Sequence, residues 1–288
     1  MRTERENTQA VTVSEGDRSS VTVTDKAAGH AHLAFRPESA PAPVRMECSG
    51  SDARTEIIVG RGACATVFGT STAEKHTVSV TLEPESALHV IMLADGAALS
   101  CVSDLADGAK IFWHCFTLGS TGFPHALVST LRGRHAKSDI DWVFSVRGSE
   151  RQTMSVRNVF EASSGGGEIT MKGVAEGSAY AACSGMIEIA EGGRGTDTYL
   201  TEDVLMLDPT AKIDAVPGLE IRTNDVKASH SATVSRVTVE DLFYFQSRGI
   251  PPAEARAMYT EGFLGELTER IPDEAIRHEV QKALMRQR

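Results

Sequence analysis

Ala215-Val-Pro-Gly-Leu-Glu-Ile221, Asn224-Asp-Val-Lys-Ala-Ser-His230 and Leu242-Phe-Tyr-Phe-Gln-Ser-Arg-Gly249 follow one another closely, and across them the chain changes its grammar. Up to Val237 the apolar residues come in short β-branched runs; beyond it they take helical spacing. Thr238 can cap a helix whose first turn carries Glu240 and Asp241, where carboxylates meet the positive end of the helix dipole. Leu242, Phe243 and Phe245 supply its apolar positions, and Arg248-Gly249 stops it. A second helix starts after Pro251-Pro252, since proline is tolerated in a first turn, and runs through Ala255, Met258 and Tyr259 toward Gly262. A third begins at Pro272-Asp273, with Ile276, Val280 and Leu284 at four-residue spacing on one face.

Upstream, from Cys48 to about Ser235, strand-like runs recur: Thr55-Glu-Ile-Ile-Val59, Thr77-Val-Ser-Val-Thr-Leu82, Leu88-His-Val-Ile-Met-Leu93, Ile140-Asp-Trp-Val-Phe-Ser-Val146, Glu168-Ile-Thr-Met171 and Met186-Ile-Glu-Ile189. Gly, Asp and Ser clusters separate them. Many short strands permit a sandwich, a jelly roll or a β-helix, and no single fixed period selects the last of these. Residues 1–45 combine Val/Thr alternations (Val11-Thr-Val13, Val21-Thr-Val-Thr24) with the proline-rich run Arg36–Pro43. They read as edge-strand material followed by a linker. The chain thus divides into an N-terminal extended segment (1–45), a β core (46–237) and a small helical domain (238–288).

The chain has 288 residues, enough for a substantial core, and its net charge of −10 argues against a nucleic-acid partner. No apolar run is long enough to span a bilayer, and Arg2, Glu4, Arg5 and Glu6 do not begin a secretory signal, so the expected location is cytoplasmic. Five cysteines, Cys48, Cys64, Cys101, Cys115 and Cys183, are widely spaced without a Cys-x-x-Cys pair. That excludes a disulfide framework or a zinc knuckle and makes them small buried apolar residues.

Motifs for a P-loop, a serine hydrolase elbow, a zinc protease or an EF-hand are absent, so the chain holds no nucleotide site of the P-loop type. Asp139 and Asp141 share one face of a strand. They suit a solvated polar face better than a glycosidase pair, although a carbohydrate enzyme on a β-helix would use such residues. His114 and Cys115 are adjacent and point to opposite faces of a strand, so they do not share an ion. Gly165-Gly-Gly167 reads as a flexible turn rather than a phosphate nest.

The three opening blocks resemble the core signature of the SufB/SufD family, the non-ATPase scaffold of the SUF machinery that assembles iron–sulfur clusters. The resemblance runs in order from about Gly185 through Phe263 and includes Leu-Glu-Ile, Ser-His-x-Ala-Thr-Val and Leu-Phe-Tyr-x-x-Ser-Arg-Gly. It implies a mainly β protein, a right-handed parallel β-helix core with a small C-terminal α-helical domain. It also implies a scaffold without turnover of its own, which partners the SufC ATPase and holds an iron–sulfur cluster transiently.

Under that resemblance, His230 matches a histidine near the subunit interface, and Glu240 stands at the offset of a SufB glutamate proposed as a cluster ligand. Both are metal-ligand candidates. Ala211 takes the position of SufB's cluster cysteine, and Ala228 that of a cysteine frequent in SufD. Thiolate is the usual ligand of iron–sulfur centres, so sulfur has to come from elsewhere, and Cys183 is the nearest cysteine.

Pro217, Leu219, Glu220 and Ile221 are expected at a seam where protomers join edge to edge, as a homodimer or with a SufB/SufD sibling. Phe243, Phe245, Arg248, Met258 and Phe263 fall in the SufC-docking region. The same residues can instead pack the helices onto the β-helix, and Phe243 is expected to do so. The alternative function is a SufD-like subunit that recruits SufC and supports a cluster-bearing sibling.

Overall fold

The computed structural model describes residues 10–14, 21–27, 29–36, 42–119 and 121–286. One sheet contains, in spatial order, β1 (Ala10–Ser14), β4 (Val44–Ser49), β6 (Cys64–Ser71), β8 (Ala87–Asp95), β10 (Lys110–Leu118), β12 (Lys137–Val146), β14 (Gly166–Ala175), β16 (Thr196–Met206) and β19 (Val226–Arg236). The other runs through β2 (Val21–Ala27), β3 (His30–Phe35), β5 (Asp52–Val59), β7 (Lys75–Leu82), β9 (Ala98–Leu105), β11 (His125–Leu131), β13 (Arg151–Phe160), β15 (Tyr180–Ile189) and β17 (Lys212–Ala215), with β18 (Gly218–Ile221) also on β15.

From β3 to β17 the chain alternates between the two sheets, and the strands from β3 onward pair with one another in parallel. The result is the expected parallel β-helix, a solenoid whose inward side chains fill one lumen. Leu33, Val67, Trp113, Trp142, Phe144, Phe160 and Leu200 are among the buried residues there.

Register explains why no fixed period is visible in the sequence. Val44, Val67, Val90 and Trp113 stand opposite one another at steps of 23 residues. Ile140, Ile169, Leu200 and His230 then continue the same column at steps of 27, 29, 31 and 30. Turns lengthen along the solenoid while the strands stay aligned, so the period drifts without disturbing the ladder.

Parallel pairing begins at His30, ahead of the boundary at residue 46 read from the sequence, because Leu33 and Phe35 enter the lumen. The proline-rich run between β3 and β4 lies partly outside the described residues. The two Val/Thr alternations are strands: β1 and β2 lie antiparallel on β4 and β3 and cover the N-terminal edges of both sheets. Among the described residues the C-terminal edge strands β17, β18 and β19 have no such cover.

Gly166 and Gly167 begin β14 rather than form a flexible turn. A Cβ on Gly167, whose φ is +132°, would lie 2.0 Å from the Ser138 carbonyl oxygen of the preceding coil. Gly173 lies on the lumen side of β14 opposite Phe144, and a Cβ there would come within 2.1 Å of that ring. Gly173→Ala is therefore expected to cost about 1–3 kcal/mol by overpacking, read from the denaturation midpoint.

The three helices are α1 (Val239–Gln246), α2 (Pro252–Thr268) and α3 (Glu274–Arg286). Thr238 and Asp241 form a capping box on α1. The second helix passes through Gly262, where the sequence suggested an end, because Leu264 and Leu267 in its added turns are buried. They pack with Ile271, Ile276 and Val280 onto Phe68, Ile91, Phe116, Val143, Val174 and Leu205 on the outer face of the first sheet. This cover accounts for the nearly unbroken apolar run Ile140–Val146, since β12 is buried on both faces.

Ion pairs fasten the helices: Arg45 to Glu279 at 2.7 Å, Arg256 to Asp208 at 2.9 Å, Lys172 to Glu266, and Arg270 to Asp141 at 2.7 Å. Asp141 shares a face with Asp139 but is not solvated, because it is buried between Arg270 and His114, whose Nδ1 is 3.1 Å away. Cys115 points the other way, into the lumen. Cys48, Cys101, Cys115 and Cys183 are buried free thiols, whereas Cys64 is exposed. Among the described residues no helix is long and apolar enough to cross a membrane.

Candidate functional site

The sequence-derived candidates gather at the uncovered C-terminal end of the solenoid. Alternation along β16 sends Thr196, Thr198, Leu200, Glu202 and Val204 inward, where all five are buried. β19 lies on β16 in register, so Val226, Ala228, His230, Ala232 and Val234 continue the lumen face. Among the described residues no further coil covers them, and His230 is exposed although it ends the column that begins at Val44. Ile213, Ala215, Leu219, Val226 and Ala228 cover the end of the lumen core only in part.

On the other sheet the last turn is interrupted. Val216 and Pro217 separate β17 from β18, and the ladder to β15 lapses between Ala215 and Gly218. Glu202 reaches across to fill the gap, and the Gly185 N–H donates to its Oε1 at 2.6 Å. Gly185 allows this approach, because a Cβ there would lie 2.4 Å from Leu200 Cδ1 and 3.2 Å from Glu202 Oε1. Glu202 is 0% exposed, and among the described residues its Oε2 has no hydrogen-bond partner.

Burial pushes the Glu202 carboxyl up to about 7, against the opposing pull of the Gly185 and Val216 backbone N–H groups. Cys183, inward on β15, is a neighbour. Its thiol is pushed up to about 12, first by burial and then by the negative charge of Glu202, and it points at the Asp214 carbonyl at 3.6 Å. A carboxylate that titrates near 7 does not deprotonate a thiol that titrates near 12. A metal ion would do so, since ligation drives thiol ionisation.

The site therefore offers a carboxylate, a protonated thiol and, at its mouth, an imidazole. Among the described residues no three His, Cys, Asp or Glu side chains form a ready metal cage. Glu240 is not brought to His230: β19 runs six residues past His230, about 20 Å of extended chain, before α1 begins. Glu240 is exposed in the first turn of α1. Ala211 is buried at the lumen end, and Ala228 is on the same face of β19 as His230.

Sequence reading missed Glu202. The available signal was a glutamate at an inward position between Leu200 and Val204 in the alternating run Thr196–Val204.

The seam candidates occupy the same end. Pro217 interrupts the edge, Leu219 is half-buried, Ile221 is exposed, and Glu220 binds Arg222, whose Nε is 2.9 Å from its Oε1. The helical candidates divide. Phe245 packs edge-on against Tyr259, and Phe263 carries the Lys172 ammonium 4.5 Å above its ring. Phe243, expected in the core, is instead 67% exposed, because α1 buries none of its residues. Arg248 lies over the Tyr244 ring at 3.8 Å, and Met258 is exposed.

A family model described as the SufBD core domain, SUF system FeS cluster assembly, matches residues 44–263. The chain belongs to the SufBD family. The match takes in the parallel stack from β4, its open end, and α1 with most of α2. Similar relatives include the iron–sulfur cluster assembly protein SufD of Escherichia coli K12, 32% identical over 178 residues, 61% of this chain and 42% of the relative. A SufBD family iron–sulfur cluster assembly protein of Mycobacterium leprae is 30% identical over 167 residues, 58% of this chain and 19% of the relative. One of Mycobacterium bovis is 41% identical over 91 residues, 31% of this chain and 23% of the relative. The chain thus spans less than half the length of each of these SufBD relatives.

Proposed function

We propose that this SufBD chain is a scaffold subunit of the SUF machinery, with the nascent iron–sulfur cluster as its cargo and the SufC ATPase as its partner. One observation carries the reading: the SufBD core match includes both the open end of the solenoid and α1. The open end supplies unpaired strand edges and a partly covered apolar core, which a second protomer or a sibling would close by two-fold pairing. His230 lies at that seam, with Glu202 and Cys183 behind it. Exposed apolar residues on α1 and Met258 on α2 supply the SufC contact. ATP hydrolysis belongs to SufC, and this chain turns over no substrate.

Absence of thiols at Ala211 and Ala228 favours a second reading, in which the chain recruits SufC and supports a sibling that ligates the cluster. Anaerobic copurification with SufC, followed by iron and sulfide analysis of wild type and His230→Ala, tests both. Stoichiometric SufC is the expected result, and a chain that fails to bind SufC overturns the scaffold reading. Cluster retained by the isolated homodimer and lost in His230→Ala favours the first reading over the second.

A further inference from the structure

The last coil of the second sheet differs from those before it. On one side β15 pairs with β13 without a break from Tyr180 to Ile189, but on the other it meets two strands of only four residues each, β17 and β18. Between those two, Ser184 and Gly185 have no strand partner on that side, and Pro217 has no N–H to offer one. Neither short strand carries a buried side chain, and among the described residues neither pairs with any strand but β15.

What the segment covers is buried. Ala215 stands opposite Cys183 and Leu219 opposite Ile187, all four packed at the end of the lumen core. Cys183 is 1% exposed. Few bonds hold the cover down: the Lys212 N–H donates to the Ala179 carbonyl at 2.9 Å, that of Val216 to Cys183 at 3.0 Å and that of Arg222 to Ile189 at 2.8 Å. On the outside the Tyr180 hydroxyl donates to the Asp214 carboxylate at 2.6 Å. A split ladder at an uncovered edge opens at lower free energy than the whole solenoid unfolds, because opening it breaks few hydrogen bonds and exposes little apolar surface.

We propose that residues 212–221 form a strap over Cys183, whose opening exposes this thiol to small thiol-seeking species while the rest of the solenoid stays folded. The same movement takes the Val216 N–H away from the Glu202 carboxyl beside it. In the closed state burial, and after it the Glu202 charge, push the Cys183 thiol up to about 12, so that only the open form supplies reactive thiolate. The strap belongs to this chain alone and requires neither SufC nor a cluster.

The test is alkylation of the dilute full chain by iodoacetamide without denaturant, with each cysteine followed by peptide mass spectrometry. Cys183 is expected to react at least about 100-fold faster than Cys101 and Cys115, which are buried in the middle coils and are reached only by unfolding. Leu219→Ala is expected to raise the Cys183 rate roughly 10-fold and Tyr180→Phe roughly threefold, since each loosens the strap. Leu264→Ala lowers global stability in the helical domain, away from the strap, so it is expected to speed Cys101 and Cys115 and leave Cys183 unchanged. Equal rates for the three thiols in wild type overturn the proposal, as does an unchanged Cys183 rate in a folded Leu219→Ala. A Cys183 rate that rises in step with Cys101 in Leu264→Ala overturns it as well. Should Leu219→Ala fail to fold, Tyr180→Phe decides: an unchanged Cys183 rate there removes the strap.

Discussion

Phe243→Asp is expected, under the proposed SufC partnership, to weaken SufC binding by roughly 100-fold, about 3 kcal/mol, without measurable loss of fold. Val239, Phe243 and Tyr244 are 80%, 67% and 57% exposed on a helix that buries nothing. An exposed phenylalanine contributes little to stability, so the denaturation midpoint should stay within about 0.5 kcal/mol of wild type. Large aromatic residues at the centre of a docking face carry most of its binding energy, and a carboxylate placed there is desolvated without a partner. Calorimetric titration with SufC measures the first effect and chemical denaturation the second. Leu264→Ala gives the contrast: this residue is buried between α2 and the first sheet, so the cost falls on stability, about 2–5 kcal/mol. Unchanged SufC affinity in Phe243→Asp would remove α1 as the docking surface.

The second large effect concerns Glu202. Its carboxyl titrates at about 7 in the folded protein against an ordinary value of 4.5, so the native state holds the proton more tightly than the unfolded chain. The stability this provides is complete below pH 4.5 and is lost as pH rises to about 7. Glu202→Gln removes the charge. Between pH 4.5 and pH 8 the variant should gain about 3 kcal/mol on wild type. Comparing the two proteins cancels the opposite slope from His76, His89 and His125, whose rings burial pushes down to about 4. Urea midpoints at the two pH values read the difference directly. A gap that does not widen with pH would mean that the carboxylate is hydrated rather than buried.

An ionised Glu202 with an unpartnered oxygen is costly at neutral pH, and a bound cation is one way to offset that cost. Anaerobically added ferrous iron is accordingly expected to raise the midpoint of wild type at pH 8 and leave Glu202→Gln unchanged.

Strand identity was legible from local chemistry. Thr77–Leu82 and Met186–Ile189 alternate and flank turn residues, and both are strands. Thr238 with Asp241 marked the start of α1, because capping depends on residues three apart. The solenoid was not legible from periodicity, since its coils grow from 23 to about 30 residues while their strands stay in register. Exposure was less legible still. Phe243 and Ile276 read alike as apolar helix positions, yet one faces solvent and the other the sheet. Asp141 reads as a surface carboxylate and is buried by Arg270, a residue from the far end of the chain.

By itself the sequence determined the strand-to-helix order, the helix caps and, through its three ordered blocks, membership in the SufBD family. Those properties depend on neighbours a few residues away. Tertiary structure alone decided that His230 ends a column begun at Val44, that Glu202 fills the break at Pro217, and that Cys48 and Thr55 meet His76. Each of those outcomes depends on coil length and register, which bring residues some 30 apart into contact through parallel pairing.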